Sequence, residues 1–210
     1  MKIYHGSKIV VDKPIRHGSN KNNDYGPAFY MTRDLKSAKE WACRNNIVGL
    51  VNEYVLNISN LKILDLREYN VLHWLAILMH FRELENSFVR SFSNRLKFLE
   101  ENYYIDVEQY DVVIGYRADD AYFRFPLDFI RWNLTLEQLE YSFKLGNLGV
   151  QYALISERAF KRLKYLNSYE CDQKYIGSYF YNVSETTKIF DSLSKDEDGT
   201  RIIDLMRDTI

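Results

Sequence analysis

The chain has 210 residues, of which 46% are apolar and 15% aromatic, and its 28 basic and 29 acidic side chains almost cancel. This composition excludes disorder as the main state, and the near-zero net charge argues against a protein that grips phosphate backbones by charge alone. No apolar run reaches the roughly 18 residues of a membrane span. The N-terminus lacks the apolar stretch of a signal peptide, and two cysteines are too few for a disulfide framework. We therefore expect a soluble, cytoplasmic, globular protein.

The first third of the chain alternates short strands with loops. Turn residues mark the loops, and β-favouring residues mark the strands. The predicted elements are a first strand followed by a turn at Gly6-Ser7 within 1–11, a polar loop at 12–27, a strand at 28–32, a helix capped by Asp34, and two strands within 50–66.

The remainder is richer in helical periodicity. Leucine and phenylalanine recur at three- and four-residue steps from about 70 to 103, with no proline between them, which predicts a helical insertion. The further predicted elements are a strand at 110–115, a helix at 134–145, a strand at 150–156, a short helix at 157–166, a tyrosine-rich extended segment at 168–190 and a charged tail at 191–210 that ends in a helix. Strands spread among helices predict the α+β class, with one domain over residues 1–190.

Common catalytic patterns are missing from the sequence. The four histidines have no cysteine or carboxylate at zinc-ligand spacing, so we expect no metal site. No glycine-rich phosphate loop and no G-x-S-x-G elbow occur either, which argues against a nucleoside triphosphatase and a serine hydrolase.

Three segments at predicted strands carry polar or aromatic side chains suited to a binding site. They are residues 4–7 (YHGS), residues 26–32 (GPAFYMT) with the following helix at 36–42 (KSAKEWA), and residues 151–156 (QYALIS). Each alone has an ordinary structural interpretation: a histidine at a strand end, an aromatic core residue, and a polar residue at a strand start.

In this order the three segments resemble the ADP-ribosyltransferase superfamily, on its poly(ADP-ribose) polymerase-like, or diphtheria-toxin-like, branch. That family opens with His-Gly-Ser or His-Gly-Thr, continues with a Gly-x-Gly-x-Tyr strand and a Lys-Ser-Ala-type helix, and closes with a strand headed by glutamate and tyrosine. Within it, the chain looks like an uncharacterised bacterial family found in toxin–antitoxin-like or phage-defence settings. The resemblance covers about residues 2–45 and 108–167. It implies two small facing β-sheets around an NAD cleft, with the helical insertion outside them.

The resemblance also implies roles for individual residues, with NAD as co-substrate and no metal. His5 would bond the adenosine ribose, Gly6 and Ser37 would hold the nicotinamide carboxamide, and Tyr30 would stack on the nicotinamide ring. Trp41 would close the other side of that ring, although its helical spacing equally fits a residue facing the core. The residues implied for catalysis are His5, Tyr30 and Gln151, and those implied for NAD binding are His5, Gly6, Ser7, Tyr30, Ser37 and Trp41.

Gln151 departs from the family pattern, because a glutamate stands there in the family. Glutamine keeps an acceptor oxygen but carries no charge and cannot act as a base. Three consequences stay open: transfer without chain elongation, a base supplied from elsewhere, or an inactive NAD binder. Asp119 and Asp120 are candidates for the missing carboxylate, with a solvated loop as the alternative, and Arg117 is a candidate for the NAD pyrophosphate or a plain surface charge.

The function expected from the resemblance is that of a glycosyltransferase: mono-ADP-ribosyl transfer from NAD to a protein or nucleic acid, by a bacterial toxin with a cognate antitoxin as partner and no membrane contact. Two alternatives remain: a NAD glycohydrolase and a catalytically silent NAD-binding module. The second His-Gly-Ser triplet, at residues 17–19, lies in a polar loop and is interpreted as chance or as part of a substrate-facing loop.

Overall fold

The computed structural model describes residues 1–16, 20–44, 47–118, 122–145, 149–193 and 198–208. The strands are β1 (Lys2–Ser7), β2 (Phe29–Thr32), β3 (Leu50–Leu56), β4 (Ile63–Asp65), β5 (Val112–Tyr116), β6 (Val150–Leu154) and β7 (Leu163–Glu170). The α-helices are α1 (Leu35–Ala42), α2 (Val71–Phe81), α3 (Asn86–Tyr103), α4 (Arg124–Ile130), α5 (Leu136–Leu145), α6 (Glu157–Phe160), α7 (Ser178–Leu193) and α8 (Ile202–Asp208). Among them, no helix has the length and the apolar composition needed to cross a bilayer.

The strands form one mixed sheet in the order β4-β5-β6-β2-β1-β3-β7, in which only β4 and β5 run parallel. The protein is therefore α+β, as the sequence predicts. The prediction of two separate sheets differs from this continuous order. However, β1 and β2 are joined by a single ladder pair, Tyr4 with Thr32, whereas β1 pairs with β3 along its whole length. The sheet thus consists of two halves, β4-β5-β6-β2 and β1-β3-β7, with a seam between β1 and β2.

Helices α2 and α3 occupy the segment predicted as a helical insertion. Every residue of α2 from Val71 to Met79 except His73 is buried, and Trp74 and Leu75 belong to the main apolar cluster together with residues of α4 and α5. The segment consists of two helices, because residues 82–85 interrupt the helical pattern, and α3 is kinked at Phe92. The insertion therefore forms a large part of the core.

Two local predictions were wrong. Residues from Leu163 onward form strand β7 rather than the end of a helix, because they pair with β3 along its length. Residues of the tyrosine-rich segment predicted as extended form helix α7, which follows Gly177 in a left-handed conformation (φ +82°). In both cases tertiary pairing and packing outweigh local propensity. Beyond α7, Ile202 of α8 is fully buried in the main cluster.

Candidate active site

A cleft of about 840 Å³ opens at the seam between β1 and β2. Its volume lies within the range of small-molecule sites, about 300–1,000 Å³. All of the residues singled out from the three sequence segments line it, although those segments are far apart in the chain. They are His5, Gly6, Ser7, Tyr30, Ser37, Trp41 and Gln151.

His5 bridges the two halves of the sheet immediately beyond the single ladder pair. Its Nδ1 lies 2.7 Å from the backbone carbonyl oxygen of Tyr30. A carbonyl can only accept a hydrogen bond, so Nδ1 carries the proton and Nε2 keeps a free lone pair. Burial lowers the pKa of His5 below its ordinary value of 6.5, and the imidazole is neutral at pH 7. The ring of Phe29 packs against it at a centroid distance of 4.5 Å.

The ring of Tyr30 is fixed at the cleft wall by its hydroxyl. That hydroxyl donates to the carbonyl of Gly26 (2.6 Å) and accepts from the backbone N–H of Tyr25 (3.0 Å). Burial raises the pKa of Tyr30 far above its ordinary value, so the hydroxyl stays protonated. Gly26 adopts φ +73°, where a Cβ would also overlap the ring of Phe81. Tyr30 therefore offers a rigid aromatic surface and no acid–base group.

The missing Cβ of Gly6 makes room for helix α1. A Cβ at this position would lie 2.2 Å from the carbonyl oxygen of Ala38 and 2.7 Å from the amide nitrogen of Ala42. The resemblance implies instead that Gly6 holds the nicotinamide carboxamide. The close approach in the structure is that of α1 to β1, which brings Ser37 and Trp41 to the cleft.

The hydroxyl of Ser37 is already engaged within α1. It donates to Oδ2 of Asp34, the N-cap residue, at 2.5 Å, and the Ser37 amide donates to the same oxygen at 3.0 Å. Burial opposes ionisation of Asp34, but these bonds and that from Lys36 N hold its pKa below the ordinary value. With its proton engaged, the Ser37 hydroxyl can only accept a hydrogen bond from a ligand in the cleft.

Trp41 faces the cleft and not the core, because its side chain is half-buried and two cations lie over its ring. The guanidinium carbons of Arg44 and Arg117 are 4.4 Å and 4.2 Å from the ring centroid. Both arginines line the cleft. Cations also outnumber carboxylates among the lining residues, which are Lys8, Lys13, Arg44, Arg82 and Arg117 against Asp24 and Glu83. This wall suits an anionic ligand such as a diphosphate.

Gln151, at the start of β6, is buried and bonded on its amide side. Its Nε2 donates to Oδ2 of Asp24 at 2.8 Å and to the carbonyl of Tyr116 at 3.2 Å. Both partners are acceptors, which fixes the orientation of the amide and directs Oε1 away from them. Gln151 therefore stands against a carboxylate that the sequence analysis did not single out.

A protein-family profile matches residues 1–165, and its description reads "Protein of unknown function (DUF3990)". The chain belongs to this family. No curated protein matches it. No solved structure matches it either. Every residue of the DUF3990 cleft discussed above lies within the matched region, whereas α7 and α8 lie beyond it.

Asp24 is the main residue of the DUF3990 cleft that sequence reasoning missed. Its side chain is 8% exposed, and its Oδ2 accepts from the amide of Ala118 at 2.8 Å as well as from Gln151. It lies in the polar turn 22–24, which reads as an ordinary loop. The sequence offered one signal, a carboxylate directly before Tyr25. In the structure the ring of Tyr25 is fully buried, and its hydroxyl donates to the carbonyl of Tyr116.

The rim of the DUF3990 cleft is held by Asn52, a second residue that sequence reasoning missed. Its Nδ2 donates to the hydroxyl of Ser7 (2.9 Å), and its Oδ1 accepts from the amide of Val11 (2.8 Å). Ser7 in turn donates to the carbonyl of Ile9. Ser7 therefore anchors the segment that follows β1.

Several predicted features are outside what the structure describes. These are Asp119, Asp120 and the second His-Gly-Ser triplet at residues 17–19. Within the described ranges, no group of three or more histidine, cysteine, aspartate or glutamate side chains is placed to hold a metal ion.

Proposed function

We propose that the protein is a NAD-dependent mono-ADP-ribosyltransferase that modifies a macromolecule, protein or nucleic acid, and that it acts in bacteria as the toxin of a toxin–antitoxin or phage-defence system. The proposed architecture is the ADP-ribosyltransferase fold, with the two sheet halves as its two small sheets. The observation that carries the proposal is the convergence of residues 4–7, 30–41 and 151 on one cleft at the seam of the sheet. The toxin role rests on the sequence resemblance.

The geometry supports binding of the two ends of NAD by different groups. Neutral His5 has Nε2 available to accept from a ribose hydroxyl. The fixed ring of Tyr30 suits stacking on the nicotinamide, a contact of about 0.5–1.5 kcal/mol. Arg44 and Arg117, held at the ring of Trp41, suit the pyrophosphate oxygens.

The reaction requires positioning more than reactive groups. The bond between nicotinamide N1 and ribose C1′ breaks, its electron pair leaves with neutral nicotinamide, and the ribose passes through an oxocarbenium-like state. A nucleophile of the acceptor then bonds to C1′ and loses its proton. Gln151 accepts a hydrogen bond but cannot deprotonate a second ADP-ribose, which favours a single transfer over a polymer.

Incubation of the pure protein with biotin-labelled NAD and a bacterial lysate tests the proposal. We expect label in either the protein or the nucleic-acid fraction, and its loss in the His5→Ala and Tyr30→Ala variants. His73→Ala is the matched control, because the Nδ1 of His73 also lies beside a backbone carbonyl, that of Tyr103 at 2.8 Å, away from the cleft.

The same experiment separates the alternatives. NAD consumption without labelled macromolecule would indicate a glycohydrolase that uses water as acceptor. Binding of NAD without consumption would indicate a silent module, and absence of both would reject the proposal. Growth arrest on expression, relieved by Tyr30→Ala but not by His73→Ala, would support the toxin role.

A further inference from the structure

Gln151 stands where the ADP-ribosyltransferase resemblance implies a glutamate, and a carboxylate lies in contact with it in the cleft. Asp24 Oδ2 lies 2.8 Å from Gln151 Nε2, and both side chains line the cleft. We propose that Asp24 is the anion of this site: it orients Gln151 as a hydrogen-bond acceptor and supplies the negative charge that stabilises the cationic ribose. This inference rests on the proposed function.

The orienting part of this role follows from the hydrogen-bond inventory. The amide nitrogen of Gln151 has two hydrogens, and its two acceptors are Asp24 and the carbonyl of Tyr116. With both hydrogens engaged, the amide cannot flip without facing an oxygen with an oxygen. Gln151 is also in hydrogen-bond contact with the side chain of Tyr25, and Oε1 is the atom of the amide that can accept from a ribose hydroxyl.

The electrostatic part follows from burial. The side chain of Asp24 is 8% exposed, and water therefore screens its charge poorly. Its Oδ1 forms an ion pair with Nη1 of Arg82 at 3.6 Å, while Oδ2 accepts from Gln151 and from the amide of Ala118. The cation therefore lies on the Oδ1 side of the carboxylate, and the other oxygen is in direct contact with the Gln151 amide.

Asp24 takes up no proton in this step. When the C1′–N1 bond of NAD breaks, the electron pair leaves with nicotinamide and positive charge develops on the ribose ring. A fixed anion near that ring favours the transition state over the ground state, in which the charge of the pyridinium lies on the leaving group. The proton of the acceptor goes to solvent.

A purely structural role is the competing explanation, since Asp24 also ties residue 118 to the loop before β2. An exchange of the two functional groups distinguishes them. Asp24→Asn removes the charge with little change in size. The double variant Asp24→Asn, Gln151→Glu moves the charge one contact away and keeps a donor facing an acceptor between the two side chains, although it loses the bond to the Tyr116 carbonyl. Asp111→Asn is the matched control, because Asp111 is equally buried and accepts from Lys62 N at 2.7 Å, outside the cleft.

We expect Asp24→Asn to lower kcat for NAD turnover by about 100-fold, a loss typical of one electrostatic contact, and to change the dissociation constant of NAD by less than about threefold. The double variant should recover at least tenfold of that loss, and Asp111→Asn should leave kcat unchanged. The recovery is the decisive readout, because it does not depend on the stability of the single variant.

An Asp24→Asn variant with the wild-type kcat would overturn the inference. So would a double variant that binds NAD and melts like the wild type but is as slow as Asp24→Asn. A wild-type protein that turns over no NAD would instead overturn the proposed function, and this inference with it. These failures are distinguishable because only the first two leave the wild type active.

Discussion

Replacement of Gly6 by alanine perturbs the contact that brings helix α1 to the cleft. The new Cβ would lie 2.2 Å from the carbonyl oxygen of Ala38, whereas an ordinary carbon–oxygen contact is about 3.3 Å. Backbone atoms of a helix cannot rotate away as a side chain can. The helix must therefore move outward by about 1 Å, or β1 must move by the same distance.

The cost of this movement is that of an overpacked core, about 1–3 kcal/mol. For a chain of this length, 1 kcal/mol lowers Tm by about 2–4 °C, so we expect a decrease of about 2–12 °C. Function should suffer more than stability, because Ser37 and Trp41 move with α1. A misplacement of about 1 Å at a catalytic site can reduce the rate about 100-fold.

Thermal unfolding followed by circular dichroism, together with NAD turnover, measures both effects. Gly49→Ala should destabilise in the same way, since its Cβ would lie 2.1 Å from the carbonyl oxygen of Ala42 at the same end of α1. Gly177→Ala is the control for backbone strain alone, because Gly177 has φ +82° and a Cβ there would contact nothing within 4 Å. If Gly6→Ala melts at the same temperature as the wild type, the steric argument is wrong.

Three further predictions concern buried titratable groups. Burial lowers the pKa of His5 in the folded state, so the unfolded chain binds this proton first as the pH falls below about 6.5. The free energy of unfolding, measured by urea denaturation, should therefore decrease below this pH. The His5→Gln variant should show a smaller decrease. Burial opposes ionisation of Asp111, but hydrogen bonds from Ser156 and Lys62 hold its pKa below 3.8. The stability that the Asp111 carboxylate contributes is therefore present above about pH 4 and is lost as the pH falls further. An Asp111→Asn variant that unfolds in acid at the same pH as the wild type would contradict this. Burial beside Cys43 raises the pKa of Cys171 to about 12. A thiol reagent should therefore label the native protein far more slowly than the urea-unfolded protein. Equal labelling rates would show that the two thiols are not buried.

Sequence patterns predicted the α+β class and singled out residues that the fold brings to one cleft. Strand ends and turn residues are local signals and placed His5, Tyr30 and Gln151 at predicted strands. Their selection as site residues came from the order of the three segments, which resembles that of the ADP-ribosyltransferases. The hydrogen-bond partner of Gln151 did not stand out. Asp24 and Gln151 are separated by 127 positions, and no local pattern encodes a contact of that range.

The local reasons assigned to two residues also needed tertiary information. Gly6 lacks a Cβ because of α1, and the Ser37 proton is held by its own N-cap, Asp34. The helix α7 was missed because its tyrosines favour strands locally, while its position in the fold is set by packing. Propensity describes a residue alone, and these outcomes depend on its neighbours.

The seam between β1 and β2 makes the shape of the cleft depend on side chains more than on the backbone. The ladder there has one pair, and the His5–Tyr30 bond lies beside it. An apolar cluster crosses the same line, because Ile3 and Tyr54 of one sheet half pack with Phe29 of the other. The imidazole of His5, which contacts the ring of Phe29, is therefore part of the junction between the two halves as well as part of the cleft surface. A substitution of His5 would accordingly act on the cohesion of the sheet and on ligand binding together.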